Sequence, residues 1–520
     1  MTDVRSMRSN VISLVPTNAQ EFSSSQKLII DVPPNIPFFR GGEDGSYFAF
    51  DVLNDSTNKE RWALAGAGVH SLIQRVNIYS GSGAGGVILE QIEDYNVMSN
   101  ILELYTRNDF GPVQTKSGVR EPPFPYTGNG LRANPVLRYA TTETAALDAV
   151  NGQFSPLATD GTAKYVSRRM VCVLKSGLLS YFDDKLVPNV NMTGIRIEID
   201  FAPPSECLMK IAAVQSGAVK PLYGTGITCG DYTNGAATVD AVGVDIRSSG
   251  LAVGNVVTLN DGVAPAADVT IASFAEDTPA PGTLRITLAE TSAATLTAPT
   301  LKMKADTTLS YKIKKAEFRC MEITPPKSMM DKVRGGMEYG FKTYSTFLDT
   351  IPQSSRRHQT QIQSVSTRAK AIMNYFVDAS TVDDKDSPGL LTGLPPALTN
   401  LNSVSYYISN RNYPLRPYSP QIRGDKVLAA SEVSTALGTL GRIPECLGSS
   451  DGDDLEVHTN PFVVARAVAP SDGFIFDLKD AEPELRMGFS GSRTFNTRVY
   501  SFVIQENVVT VDGSGLRVEY

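Results

Sequence analysis

The stretch "YSGSGAGGVILEQ" carries glycines in the pattern G-x-G-x-x-G, at Gly81, Gly83 and Gly86. This spacing is typical of a dinucleotide-binding turn, where glycines let the backbone approach a pyrophosphate at a helix N-terminus. Such a turn needs a second parallel strand that ends in an acidic residue about 20 positions further on. The Pro- and Gly-rich stretch 105–130 follows instead, and Asp109 lies in it without a preceding strand. We therefore expect a turn between a strand and a packed helix, and no nucleotide site.

Histidines and cysteines give no catalytic or metal-binding pattern. His70, His358 and His458 are far apart and match neither H-E-x-x-H nor H-x-H, so structural roles are favoured. The cysteines are odd in number, widely spaced and without a C-x-x-C pair, which favours buried thiols in a reducing compartment over disulfides. They are Cys172, Cys207, Cys229, Cys320 and Cys446.

Acidic and basic clusters remain as candidate binding sites. Asp451, Asp453 and Asp454 are close enough in sequence to bind a hard cation such as calcium, but the spacing departs from the EF-hand loop. An exposed acidic loop is the favoured reading there and at 383–387, and the cation stays open. The basic spot "SSRRH" (354–358) is better read as a contact between subunits than as a nucleic-acid site. The sequence therefore assigns no catalytic, cofactor-binding or metal-binding residue, and no enzyme activity is expected.

Composition limits the function classes. The chain has 520 residues, a formal net charge of -7, 42% hydrophobic residues and 20% charged residues. A protein that coats nucleic acid over a large area needs a basic face, and no long basic run occurs. The N-terminus lacks an apolar signal core, and no run of about 18 apolar residues exists. We expect a soluble protein of several domains that is made in the cytosol.

The elements that would position these residues are mostly strands. In "GIRIEIDF", Ile195, Ile197 and Ile199 alternate with charged residues, the pattern of a half-buried strand. Similar alternation recurs near both ends of the chain. Helical spacing is scarce: the best case runs from Ile88 to Tyr105, with a second short helix predicted near 425–441. The lone Trp62 is read as a core anchor. The pattern indicates an all-β protein.

Shifts in composition predict the domain organisation. Between 219 and 306 the chain becomes rich in Ala, Gly, Thr, Val and Asp, with frequent turn signals, which predicts a small β module inserted in a loop. Two large β regions flank it and weakly echo each other. The predicted division is an N-terminal arm (1–20), a first β domain (21–218 with 307–326), the inserted module (219–306), a linker (327–336) and a second β domain (337–520).

Several segments, taken in order, resemble a known family. They include "SSSQKLIIDVPPN", "HSLIQRVNIYSGSG", "LVPNVNMTGIRIEIDFAPPSECL", "YKIKKAEFRCMEITPP" and "FKTYSTFLDTIPQSSRRHQTQIQSVSTRAKAIMNYF". Together they are similar to the double jelly-roll major capsid proteins of DNA viruses, particularly Polinton-like viruses and virophages, in the lineage of the adenovirus hexon. None of these segments is a catalytic signature.

The resemblance implies two tandem eight-stranded antiparallel jelly rolls with a few short helices, the module at 219–306 being a tower. It implies a homotrimer of near-hexagonal outline that tiles an icosahedral shell around double-stranded DNA, with neighbouring trimers, penton and minor capsid proteins as partners. Made in the host cytoplasm, the protein would reside in the virion capsid. The tower's outward position suggests contact with the host surface. The alternative is a carbohydrate-binding or glycoside-acting β-sandwich protein of a surface or tail structure.

Overall fold

The computed structural model describes the chain in ranges separated by gaps. The described residues are 8–42, 45–55, 62–64, 68–81, 85–105, 153–154, 167–183, 185–210, 213–215, 218–220, 227–242, 256–262, 267–276, 280, 283–291, 295–303, 310–327, 330–331, 336–379, 400–419, 423–441, 463–469, 474–493, 496–512 and 515–520. Most of them lie in antiparallel strands, as the alternating sequence patterns predict.

The first part of the chain contributes short and medium-length strands. They are β1 (Arg8–Leu14), β2 (Glu21–Ser23), β3 (Lys27–Val32), β4 (Phe38–Arg40), β5 (Tyr47–Asn54), β6 (Trp62–Leu64), β7 (Ile73–Ser80), β8 (Ile88–Ile92), β9 (Gln153–Phe154), β10 (Ser167–Cys172), β11 (Leu186–Val187), β12 (Ile195–Phe201) and β13 (Leu208–Lys210).

The strands of the rest of the chain include the longest ones. They are β14 (Ala213–Gln215), β15 (Ala218–Lys220), β16 (Ile227–Thr228), β17 (Thr238–Val242), β18 (Val256–Asn260), β19 (Ala267–Glu276), β20 (Thr283–Leu288), β21 (Thr300–Met303), β22 (Tyr311–Thr324), β23 (Met337–Ile351), β24 (Arg357–Gln361), β25 (Ala369–Asp378), β26 (Leu401–Ile408), β27 (Arg411–Tyr418), β28 (Val463–Ala467), β29 (Glu484–Phe489), β30 (Thr497–Asp512) and β31 (Gly515–Glu519).

Helices are few among the described residues. They are α1 (Tyr95–Tyr105), the single turn α2 (Pro204–Cys207) and α3 (Arg423–Gly438), with a 3-10 turn at Gly68–Leu72. α1 follows β8 and α3 follows β27, so each long helix leaves a strand at a corresponding place in the chain.

The same strand order occurs twice. One set of eight described strands is β1, β3, β5, β7, β8, β10, β12 and β22, and the other is β23 to β30. Numbered in chain order within its set, each set forms one sheet in the order 1-8-3-6 and one in the order 2-7-4-5. Strands 1 and 8 are thus neighbours although they are farthest apart in the sequence. We call the two sets the first and the second sandwich.

In β12, the alternating sequence pattern corresponds to one buried face and one outward face. Ile195, Ile197 and Ile199 are buried, whereas Arg196 points outward and pairs with Asp31 on β3, Nε to Oδ1 at 2.9 Å. The predicted strand is confirmed, since period-2 burial of one face is what a sheet packed on one side requires.

Three groups of buried side chains form the interior. The largest fills the first sandwich and continues onto the outer face of the β23–β30–β25–β28 sheet, where it includes Tyr344 and Phe502. A second fills the second sandwich. A third lies under the six-stranded sheet of β16 to β21 and has no members outside residues 229–301. That sheet lies between β12 and β22, within the stretch predicted as an inserted module; the domain boundaries stay predictions.

The structure adds detail to one sequence expectation and corrects another. Residues 8–14 of the predicted N-terminal arm form β1, which pairs along β22 and packs Ile12 and Leu14 against the core. The expected helix from Ile88 begins only at Tyr95, because Ile88–Ile92 forms β8, a hairpin partner of β7. Pairing with β7 outweighs the helical spacing of these residues, and Asp94, with a φ of 49°, marks the turn into α1.

Candidate functional site

The glycine stretch forms a turn between antiparallel strands and not the start of a parallel unit. β7 and β8 pair antiparallel on either side of it. Gly81 and Gly85 have φ of 82° and 102°, and a Cβ on Gly86 would lie 1.7 Å from the Ser80 carbonyl oxygen. A nucleotide turn would place the glycines between a strand and a helix N-terminus. The glycines therefore serve the turn; Gly83 lies outside the described residues.

Beyond this hairpin lies the joint, our name for the contact between β8 with the segment 176–185 in the first sandwich and β23 in the second. Glu90 on β8 is at its centre and is 1% exposed. Its Oε1 accepts hydrogen bonds from the Gly177 N–H (3.0 Å) and the Thr343 hydroxyl (2.6 Å). Its Oε2 accepts from the Leu178 N–H (3.2 Å) and from the Ser176 hydroxyl. One carboxylate thus links both sandwiches.

Burial and hydrogen bonding oppose each other at Glu90. Burial raises the pKa of Glu90 above its ordinary value, although the hydrogen bonds from Ser176, Thr343, Leu178 and Gly177 favour the charged form. Since two of the donors are backbone N–H groups, which can only donate, both carboxylate oxygens are needed as acceptors. The arrangement fixes the segment after β10 against β23.

Close packing completes the joint. A Cβ on Gly177 would lie 1.7 Å from the carbonyl oxygen of Lys342, so only glycine permits this approach. The Tyr339 hydroxyl on β23 donates to the Leu178 carbonyl at 3.2 Å, and Lys185 Nζ donates to the Gly340 carbonyl at 3.1 Å. The two sandwiches are therefore held together by apolar, hydrogen-bonded and close backbone contacts.

Asp94 adds a second buried carboxylate beside the joint. Burial raises its pKa from 3.8 to about 6, and the negative charges of Glu206 and Glu93 add to this effect against the opposing charges of Arg498 and Arg75. Arg498 belongs to β30 of the second sandwich. A carboxyl group whose pKa is about 6 therefore lies next to the joint.

The residues around His70 have the types of a catalytic cluster but the environment of a core. The His70 Nδ1 lies 2.9 Å from the Tyr95 hydroxyl and 3.5 Å from the Cys172 sulfur. Burial lowers the pKa of His70 well below its ordinary value, with a contribution from Lys175, and raises that of Cys172 to about 12. A neutral imidazole and a protonated thiol give no activated nucleophile. The expected structural role fits this setting.

The remaining candidates do not come together. His358 on β24 binds Asp349 on β23, Nε2 to Oδ2 at 2.9 Å. Burial alone would raise the pKa of Asp349, but hydrogen bonds from His358 and the Thr350 N–H favour the charged form, and the pKa is lowered. Asp240 in the β16–β21 sheet binds Arg285 at 2.7 and 2.8 Å. The interpretation of "SSRRH" as a subunit contact stays a prediction.

Several predicted sites fall outside the described residues. They are His458, Cys446, the acidic stretches 383–387 and 451–454, and the side chain of Trp62. Within the described part, no group of three or more His, Cys, Asp or Glu side chains could hold a metal ion. No helix of that part is long and apolar enough to cross a membrane.

Sequence reasoning missed Glu90 altogether. Glu90 falls in the stretch from Ile88 that was expected to be helical, but it lies within a strand. The signal that could have found it is a lone charged residue inside the apolar run "VILEQI", since a buried charge in a strand needs partners.

Comparison with known proteins identifies the fold. No protein-family model and no curated protein matches the sequence. Among solved structures, the Faustovirus major capsid protein covers 96% of this chain and 90% of its own length, with a TM-score of 0.52 and 9% identity. This chain has a double jelly-roll fold. The order 1-8-3-6 and 2-7-4-5 in both sandwiches is that of two jelly rolls, as the sequence resemblance implies.

Two further solved structures are similar over most of the chain. A chain of the PBCV-1 virus capsid covers 99% of this chain and 97% of its own length, with a TM-score of 0.49 and 8% identity. The mavirus major capsid protein covers 98% of this chain and 88% of its own length, with a TM-score of 0.44 and 10% identity.

Proposed function

We propose that the chain is a structural major capsid protein and not an enzyme. The observation that carries the proposal is the repetition of one jelly roll within a single chain, with both copies locked together by the joint. A rigid pair of similar bodies is a building block suited to a symmetric shell, because each body can present similar surfaces to its neighbours. The likeness to the Faustovirus major capsid protein supports this function.

The proposed assembly is a homotrimer with six jelly rolls and a near-hexagonal outline. Such trimers would tile an icosahedral shell around double-stranded DNA in the virion, with penton and minor capsid proteins as further partners. Synthesis in the host cytoplasm and a host-surface contact through the module at 219–306 belong to the same proposal. The net charge of -7 fits a shell that encloses DNA but does not bind it through a large basic surface.

Light scattering of the purified chain at micromolar concentration tests the trimer. The proposal expects about three times the 56.0 kDa of one chain. A persistent monomer in mild buffer that is retained on a glycan column would contradict it and favour the carbohydrate-binding alternative. The whole-chain likeness to a capsid protein does not favour that alternative.

A further inference from the structure

The second jelly roll has a cleft where the paired strands β24 and β29 give way to their connections. Just beyond the pair, the Ile362 N–H donates to the Pro483 carbonyl at 2.9 Å, and further on the Leu478 N–H donates to the Ser366 carbonyl at 2.9 Å. Between these two contacts, the described segments 363–365 and 479–482 share no backbone hydrogen bond. The cleft between them has a volume of about 380 Å³, which is within the range of ligand pockets.

Apolar and polar residues line this cleft together. Ile362, Leu478 and Pro483 are buried and give it an apolar base. Gln363 is exposed and Val365 is 72% exposed, so both are accessible at its opening. A cleft of this make-up suits a ligand that has apolar as well as hydrogen-bonding groups.

The first jelly roll fills the equivalent space with its own chain. β3 and β12 are the equivalents of β24 and β29. Asn189, which precedes β12, is fully buried, and its side-chain amide donates to the carbonyls of Pro33 and Ile36 after β3, both at 2.8 Å. The Val190 N–H donates to the Pro37 carbonyl at 3.0 Å. An amide group therefore closes this place in the first jelly roll, whereas the described residues of the second leave it open.

Several hydrogen-bonding groups of the cleft have no partner among the described residues. They are the backbone N–H groups of Gln363, Val365 and Glu482, and the side-chain amides of Gln361 and Gln363. An amide side chain can both donate and accept hydrogen bonds. An extended peptide presents N–H and C=O groups along its whole length, and main-chain hydrogen bonds supply much of its affinity. These unpaired groups are therefore complementary to a peptide backbone.

The charges at the opening favour a positively charged ligand. Glu482 and Lys479 line the cleft and have no ion pair within the described part of the chain, whereas Glu484 pairs with Arg486 at 2.9 Å. Asp480, next to Lys479, is exposed and likewise without an ion pair there. Two unpaired carboxylates against one ammonium group attract a cationic side chain.

We propose that this cleft binds an extended peptide segment of a partner protein, with a basic residue of that segment beside Glu482. The peptide backbone takes the place that the Asn189 amide occupies in the first jelly roll, and Gln361 and Gln363 bind it. The inference goes beyond the proposed function, because it gives the second jelly roll a binding site that the first jelly roll closes with its own residues.

Panning a phage-displayed library of random linear peptides on the purified chain tests the proposal. We expect the enriched peptides to carry a basic residue, and fluorescence anisotropy measures their affinity. Glu482→Lys should weaken binding at least about tenfold and Gln363→Ala about fivefold. Gln359→Ala is the matched control, since Gln359 is an exposed glutamine of β24 outside the cleft, and it should leave the affinity unchanged. Circular dichroism checks that each variant is folded.

Hydrogen exchange of the wild-type chain keeps the proposal testable if a variant fails to fold. A bound peptide should slow exchange at the N–H groups of Gln363, Val365 and Glu482. An absence of enriched peptides, slower exchange only elsewhere, or unchanged affinity in Glu482→Lys and Gln363→Ala would overturn the inference. Spermidine that displaces the peptide as well as unlabelled peptide does would also overturn it, because the cleft would then bind any small cation. The mass of the wild-type particle in light scattering tests the proposed function separately.

Discussion

At the scale of single residues, Glu90 is the buried side chain at the centre of the joint. Its two oxygens accept from two backbone N–H groups and two hydroxyls that belong to both jelly rolls. Replacing Glu90 with Gln keeps the shape but turns one acceptor into a donor, so that the N–H of Gly177 or Leu178 loses its partner. We expect Glu90→Gln to lower the free energy of unfolding by about 1–3 kcal/mol.

Denaturant unfolding at one fixed protein concentration measures this loss. Glu93→Gln is the matched control, because Glu93 is 41% exposed on its side chain and pairs with Arg75 at 3.3 Å. Exposed pairs of this kind contribute about 0–1 kcal/mol. Equal effects of the two substitutions would show that Glu90 has no special role in the joint.

Asp94 makes stability depend on pH. Its pKa is about 6 in the folded chain, against 3.8 ordinarily. The folded state therefore keeps the proton more tightly, and stability is lost as pH rises from about 4 to about 6. Asp94→Asn removes this loss and tolerates the positive φ of 49°. We expect the variant to be more stable than wild type at pH 7, by up to about 3 kcal/mol, and equally stable at pH 3.

Thermal unfolding of wild type and Asp94→Asn across pH 3 to 7 checks the direction of this pH dependence. The difference between them should grow with pH through the window between 3.8 and about 6. A constant difference at all pH values would mean that the substitution acts through packing and not through the charge of Asp94.

At the scale of elements, we expect the glycines of the β7–β8 turn to be needed for folding and not for binding a nucleotide. Gly81 has a φ of 82°, so Gly81→Ala should cost about 1–2 kcal/mol by strain. Gly86→Ala should cost more, because its Cβ would lie 1.7 Å from the Ser80 oxygen. Gly491→Ala is the control, since nothing lies within 4 Å of its Cβ position.

Unfolding curves give the stability order, and titration with NAD or ATP tests the binding role. We expect no saturable binding by the wild-type chain. Micromolar affinity that disappears in Gly81→Ala would revive the dinucleotide interpretation of G-x-G-x-x-G.

Strands with strict alternation could be predicted from sequence, and strands with competing signals could not. β12 follows directly from "GIRIEIDF", because period 2 has no helical alternative there. β8 was mistaken for helix because Ile88, Ile92 and Tyr95 also fit helical spacing, and only pairing with β7 decides between the two. β1 gives a weak signal because the outward Val11, which is 56% exposed, is as apolar as the inward Ile12 next to it, so apolar and polar residues do not alternate there. The residues of the joint come from segments far apart in the sequence, so local sequence patterns cannot show that they are in contact.

At the scale of the whole molecule, the module predicted at 219–306 has a core of its own, centred on residues such as Ile271 and Ile286. A unit with a separate core shares few contacts with its host and can be removed at little cost to it. We expect a chain with about residues 222–304 replaced by a short Gly/Ser linker to remain soluble and trimeric.

Light scattering of the deletion variant checks this expectation. In a second experiment, limited proteolysis of the wild-type chain should cut first near 223–226 and 304–308. An insoluble deletion variant, when single substitutions within the module fold normally, would show that the segment belongs to the main core and that the predicted boundary is wrong.

The central claim is that this double jelly-roll chain builds a shell. Electron microscopy of the purified chain under conditions that promote assembly tests it most directly. The account predicts particles of near-hexagonal outline with six lobes, one for each jelly roll of a trimer, and closed shells or flat sheets built from them. A uniform population of single two-lobed particles at every protein concentration would contradict it.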